Sequence, residues 1–228
     1  DDVWRLDRLQ LMAGAFSARA DLTLLHTDAL LVDDRGDSLG QTLFGALQVR
    51  QFELQSIHAG NALDVLLRRN LVTGATAMFR RSLLDKAAPF PAEWLHDEWL
   101  AIIASVVGRV DVLEQLLTNY RQHAANEVGA REWSLMQNVR RAFAQRGNKQ
   151  TARAVRVERL RERLESLAAP AEILGKVNDK LVHQRFRANL PTSRLARAVP
   201  IARELLSGRY ERFDRGLHAV AADLFESA

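Results

Sequence analysis

The chain has 228 residues, 47% hydrophobic and 26% charged, the composition of a globular protein with one sizeable core or one core plus an appendage. The absence of cysteine excludes disulfides, thiolate nucleophiles and Cys-ligated zinc. No run of about 18 apolar residues predicts a transmembrane helix, and no signal peptide is visible. The net charge of +4 hides a split. Residues 1–129 carry 12 Lys+Arg against 17 Asp+Glu, a net of −5, whereas residues 130–228 carry 20 against 11, a net of +9. Such a split points to two modules with different partners.

In chain order, Val3, Leu6, Leu9, Met12, Ala13 and Phe16 fall near one helical face and predict a helix over 3–19. Leu22–His26 and Ala29–Val32 have strand length, and Asp33-Asp34-Arg35-Gly36-Asp37 is a turn cluster after them. Residues 60–69 read as helix. Asn70–Phe79 reads as a β-rich run with Gly74 inside it, the mark of a bulge or of a close backbone approach to a ligand. A short helix follows over 81–88 and ends at Pro89-Phe90-Pro91. A strong helix over 94–107 is closed by Gly108. Val110–Leu113 and Leu116–Arg121 look like strands, so residues 20–123 alternate as an α/β protein does. Beyond Gly129 the chain is Ala-, Leu-, Arg- and Glu-rich. It reads as helices over 131–146, 149–168, 170–187 and 193–226, broken at Gly147-Asn148, Pro170, Pro191, Pro200 and Ser207-Gly208. Leu160, Leu164 and Leu167 suggest a buried stripe that a partner could cover.

Four segments carry candidate chemistry: Asp1-Asp2-Val3-Trp4, the run from Asn70 to Arg80 with Thr73, Gly74 and Thr76, His96-Asp97-Glu98-Trp99, and Tyr120-Arg121-Gln122-His123 with Asn126 and Gly129. In this order they resemble the catalytic domain of family 2 glycosyltransferases, in the rhamnosyltransferase-like branch. The resemblance covers residues 1–129. It implies the C-terminal half of a GT-A fold, of class α/β, followed by an all-α basic extension over 130–228. Because the chain opens inside a motif, it reads as a piece of a longer protein.

The resemblance also implies roles. Asp1 and His123 would hold Mg²⁺ or Mn²⁺ against a nucleotide diphosphate, whose departure with a sugar's bonding electrons such an ion stabilises. Asp97 would be the general base that deprotonates the acceptor hydroxyl in an inverting displacement, with Glu98 the alternative. Thr73, Gly74, Thr76, Arg80, Trp99 and Arg121 would line the substrates. The function implied is a hexosyltransferase of surface-polysaccharide synthesis, in the cytoplasm or on the inner membrane face. Its donor would be a UDP- or dTDP-sugar, its acceptor a glycan or lipid-linked saccharide, and its basic helices would contact the membrane. Two other classes stay open: an inactive transferase-like scaffold, and a basic helical binding module. Nucleic acid is not the expected partner, because the helices hold few aromatics and no zinc-finger spacing.

Overall fold

A computed structural model describes residues 2–122 and 146–225, which form a mixed α/β protein. The described residues group into two compact units. One comprises residues 2–66, 70–90 and 95–122; the other comprises 67–69, 91–94 and 146–225.

The first unit is built on two long strands, β2 (Leu22–Val32) and β5 (Arg109–Arg121), which run parallel. Each joins two apolar runs that the sequence suggests are separate. In β5 the polar residues Glu114 and Gln115 bulge out, so the register steps from Thr27 opposite Leu113 to Asp28 opposite Leu116. In β2 the interrupting Asp28 is satisfied locally, its Oδ1 accepting the N–H of Ala29 at 2.8 Å and of Phe44 at 2.9 Å. Most of β2 is buried, which explains its continuous apolar pattern. On its other edge it pairs antiparallel with β3 (Ser38–Thr42) and β4 (Met78–Phe79). The β2–β3 turn is the acidic cluster: the Asp33 carboxylate accepts the N–H groups of Arg35 and Asp37, and Gly36 takes the φ of 93° that suits glycine. The backbone N–H of Asp37, chief among these donors, holds the Asp33 carboxyl below its usual range.

The predicted helix over 3–19 is shorter than its periodicity suggests. Val3–Trp4 is instead a short strand, β1, antiparallel to β5 with Val3 opposite Asn119. Helix α1 starts at Arg8 and runs to Ala18. Of the six apolar residues on the expected face, Met12 alone is fully buried, against Leu22, Leu25 and Leu117. Asn70–Phe79 is also less regular than predicted. The Asn70 carboxamide brackets Val72, accepting its N–H at 2.9 Å and donating to its carbonyl at 2.7 Å. Such side-chain bonding competes with strand pairing, and a 3₁₀ turn at Gly74–Thr76 follows. Helices α2 (Leu43–Ala46), α3 (Gln51–His58), α4 (Ala62–Arg68), α5 (Ser82–Ala87) and α6 (His96–Val107) complete the chain up to β5. Residues Trp99–Ala104 of α6 are all buried.

The second unit is helical: α7 (Arg146–Ser166), α8 (Ala171–Ala188), α9 (Arg194–Leu206), α10 (Arg209–Phe213) and α11 (Leu217–Phe225). Helix α7 runs through Gly147-Asn148 and α9 through Pro200, both predicted as breaks. The chain itself covers the Leu160–Leu164 stripe: α7 packs on α8, and Leu160 and Leu164 are buried along with Val177 and Leu181.

This unit also encloses a network of ions. Asp223, fully buried on α11, accepts from Arg187 Nε at 2.7 Å and from the Tyr210 hydroxyl at 2.7 Å. Arg187 also pairs with Asp214, and Arg197 donates to the Asp223 carbonyl at 3.1 Å. Beside it, His183 Nδ1 lies 2.8 Å from Glu204 Oε1. Burial would lower the Arg187 pKa, but Asp223 and Asp214 hold it above its usual value. A buried guanidinium needs such paired, hydrogen-bonded carboxylates.

Candidate functional site

The first turn of α6 and the Gly74 turn meet. Leu95 is extended before the helix, which places His96 and Asp97 at its N-terminal end. Asp97 Oδ2 accepts the Gly74 N–H at 3.0 Å, and Oδ1 accepts the Glu98 N–H at 2.7 Å. Each oxygen has a further lone pair with which to take a proton from a ligand. The approach is close: a β-carbon at position 74 would stand 3.1 Å from His96 Nε2 and 3.7 Å from Asp97 Cβ, so the imidazole would have to shift by a few tenths of an ångström to admit one. Between these elements lies a cavity of about 180 Å³. Leu24, Val72, Phe79 and Leu100 supply its apolar lining, with His96 and Asp97 as its polar groups.

Two more of the four segments meet at the C-terminal end of β5. The Tyr120 phenol, on β5, has its pKa raised first by burial and then by the carboxylates of Asp2 and Asp97. Asp2 in turn accepts the Arg121 backbone N–H at 2.9 Å. Segments nearly 120 positions apart in the sequence thus converge on Tyr120. Arg8 adds a buried cation: its guanidinium stacks on Trp4 at 4.2 Å. Burial lowers its pKa, and Asp2 partly offsets the effect. Neither Tyr120 nor Arg8 is an obvious binding residue in the sequence. The only hint for Tyr120 is its place in the Tyr-Arg-x-His segment, and nothing marks Arg8.

Other predicted site residues have scaffold contacts. Arg80 donates from Nε to the Leu22 carbonyl at 2.7 Å and from Nη2 to those of Phe16 and Arg19, closing the C-terminal end of α1. The Arg121 guanidinium donates to the carbonyls of Asp33 at 3.0 Å and Asp34 at 2.6 Å, tying the hairpin turn to the end of β5. Trp99 is buried and donates from Nε1 to the Ala87 carbonyl at 2.7 Å. Thr76 is buried with its hydroxyl on the Thr73 carbonyl, and Thr73 immediately precedes the Gly74 turn.

Asp1, His123, Asn126 and Gly129 lie outside the described residues. Among the described residues no three His, Asp or Glu side chains gather as the ligands of one cation, and no helix is long and apolar enough to cross a membrane. No protein-family model, no curated protein and no solved structure matches the chain.

Proposed function

We propose that the chain is part of a glycosyltransferase that moves a sugar from a UDP- or dTDP-sugar to a hydroxyl of a saccharide or lipid-linked acceptor, with inversion, and that its first unit belongs to a GT-A catalytic domain. The observation that carries this reading is the Gly74–Asp97 contact. It places a carboxylate, backed by two backbone N–H groups, on a small cavity beside β2, and the charge of that carboxylate is felt at the Tyr120 phenol. In this reading Asp97 takes the proton of the acceptor hydroxyl as that oxygen attacks the anomeric carbon, and the nucleoside diphosphate departs with the bonding electrons. One carboxylate is enough, because a diphosphate leaves without a proton. Mg²⁺ or Mn²⁺ held by Asp1 and His123 would supply charge neutralisation to the diphosphate. Thr73 and Gly74 face the donor sugar, while Arg80, Trp99 and Arg121 hold the elements that shape the site. Such an enzyme works at the cytoplasmic membrane face, where lipid-linked saccharides are extended.

Calorimetric titration of UDP and of dTDP, each with Mn²⁺, into this chain and into a longer chain that carries the rest of the proposed catalytic domain tests the reading. The expected result is saturable heat with one nucleotide, abolished by chelation of the metal. No heat with either would favour the scaffold or binding-module class.

A further inference from the structure

Helix α9 is amphipathic, but it is turned the unusual way round. Its buried residues are Arg197, Ile201 and Glu204, whereas Leu195 is 90% exposed, Val199 60% and Leu206 87%. At about 100° per residue, Leu195, Val199, Ala202 and Leu206 fall within an arc of roughly 60°, directly opposite the buried face. Arg194 and Arg203 stand on either side of the stripe, exposed and with no carboxylate partner among the described residues. The adjacent α11 repeats the arrangement: Ala219 and Asp223 are buried, while Leu217 is 68% and Phe225 64% exposed. The ion network of Arg187, Arg197 and Asp223 explains the inversion, since it claims the inner faces of both helices.

We propose that the outer face of α9, extended by α11, docks on an anionic phospholipid surface, its aliphatic side chains entering the acyl boundary and its arginines meeting headgroup phosphates. Charge favours this occupant: residues 146–225 carry 17 Lys+Arg against 9 Asp+Glu, a balance that repels a second copy and attracts an anionic bilayer. Area favours it too. The three aliphatic side chains of α9 together with Leu217 and Phe225 of α11 offer on the order of 500 Å², still short of the ~800 Å² per partner of a stable protein interface. A shallow apolar stripe with flanking cations is what interfacial helices use, with their basic side chains reaching outward to the headgroups. The inference does not rest on the role of Asp97.

The test is vesicle flotation of the whole chain. Vesicles of mixed phosphatidylglycerol and phosphatidylcholine should carry the protein, and vesicles of phosphatidylcholine alone should not. Leu195→Glu with Leu206→Glu should reduce partition about tenfold or more, and Arg194→Gln with Arg203→Gln should reduce it several-fold. The side chains replaced are exposed, so thermal melts should be unchanged; if the glutamate pair melts early, the glutamine pair still decides. Partition unaffected by either pair, or absent in the native chain, overturns the proposal. So does a concentration-dependent dimer that the glutamate pair disperses, which would assign the face to a second copy.

Discussion

His26 sits mid-strand in β2 with its imidazole wholly buried, edge-on to the Phe44 ring at 5.8 Å between centroids. Burial lowers its pKa to about 4, with Asp111 pulling the other way. An unfolded histidine titrates near 6.5, so the folded state resists protonation. The stability that follows is fully present above pH ~6.5 and is lost as the pH falls from there to about 4, in all about 3 kcal/mol. Urea midpoints at neutral pH and near pH 4.5 should therefore differ in the native chain, and His26→Leu should remove that part of the difference. An unchanged slope in the leucine variant would mean that the ring is solvated. At Asp97 the expectation is chemical: if the proposed function holds, Asp97→Asn should cut sugar transfer by about 10²–10⁴, the range of general-base catalysis, while nucleotide binding persists. Residual transfer near the native rate would remove Asp97 from the role of base. These two residues were not equally legible. Asp97 announces itself beside His96 at a helix start, whereas a histidine inside an apolar run looks the same whether or not it is solvated.

At the scale of elements, the junction between α6 and β5 is the most constrained. A β-carbon on Gly108 would stand 2.2 Å from Thr23 Cγ2 and 3.0 Å from the Asp21 carbonyl. The Thr23 hydroxyl meanwhile lies 3.1 and 2.8 Å from the carbonyls of Ala104 and Arg109. Gly108→Ala should thus cost about 1–3 kcal/mol or more by overpacking, and adding Thr23→Ser should restore part of it. Denaturant titration of the single and double variants checks this; no recovery in the double variant would place the clash elsewhere. The closing glycine was readable as a helix stop, but the reason for it was not, since Thr23 is distant in the sequence. The same limit applies to the strands. Apolar runs reveal β2 and β5, yet their continuity depends on where Glu114, Gln115 and Asp28 go, which pairing decides. In α9 the wheel pattern is plain, but a wheel does not say which side faces inward.

At the scale of the molecule, the helical unit depends on charges that it buries. Removing Asp223 strips Arg187 of one of its carboxylate partners and the Tyr210 hydroxyl of its acceptor, while Asp214 stays paired with Arg187, so Asp223→Ala should destabilise this unit by about 2–4 kcal/mol. Hydrogen exchange should show protection falling across α8–α11 while β2 and β5 keep theirs; uniform loss would mean that the two units unfold together. Arg187 and Asp223 lie 36 positions apart, and no local pattern links them, whereas the division into an acidic α/β part and a basic helical part was visible in the charge count. The topology of the sheet has a consequence for assembly. Residues 33–108 separate β2 from its parallel partner β5, and β1 also pairs with β5. The ends of a loop that long must meet before any of those contacts form, which slows folding. During synthesis, then, the β5-facing edges of β2 and of β1 stay unpaired until Arg121 has emerged. Over that interval the nascent chain is most prone to pair with a neighbour, and a chaperone is most useful to it.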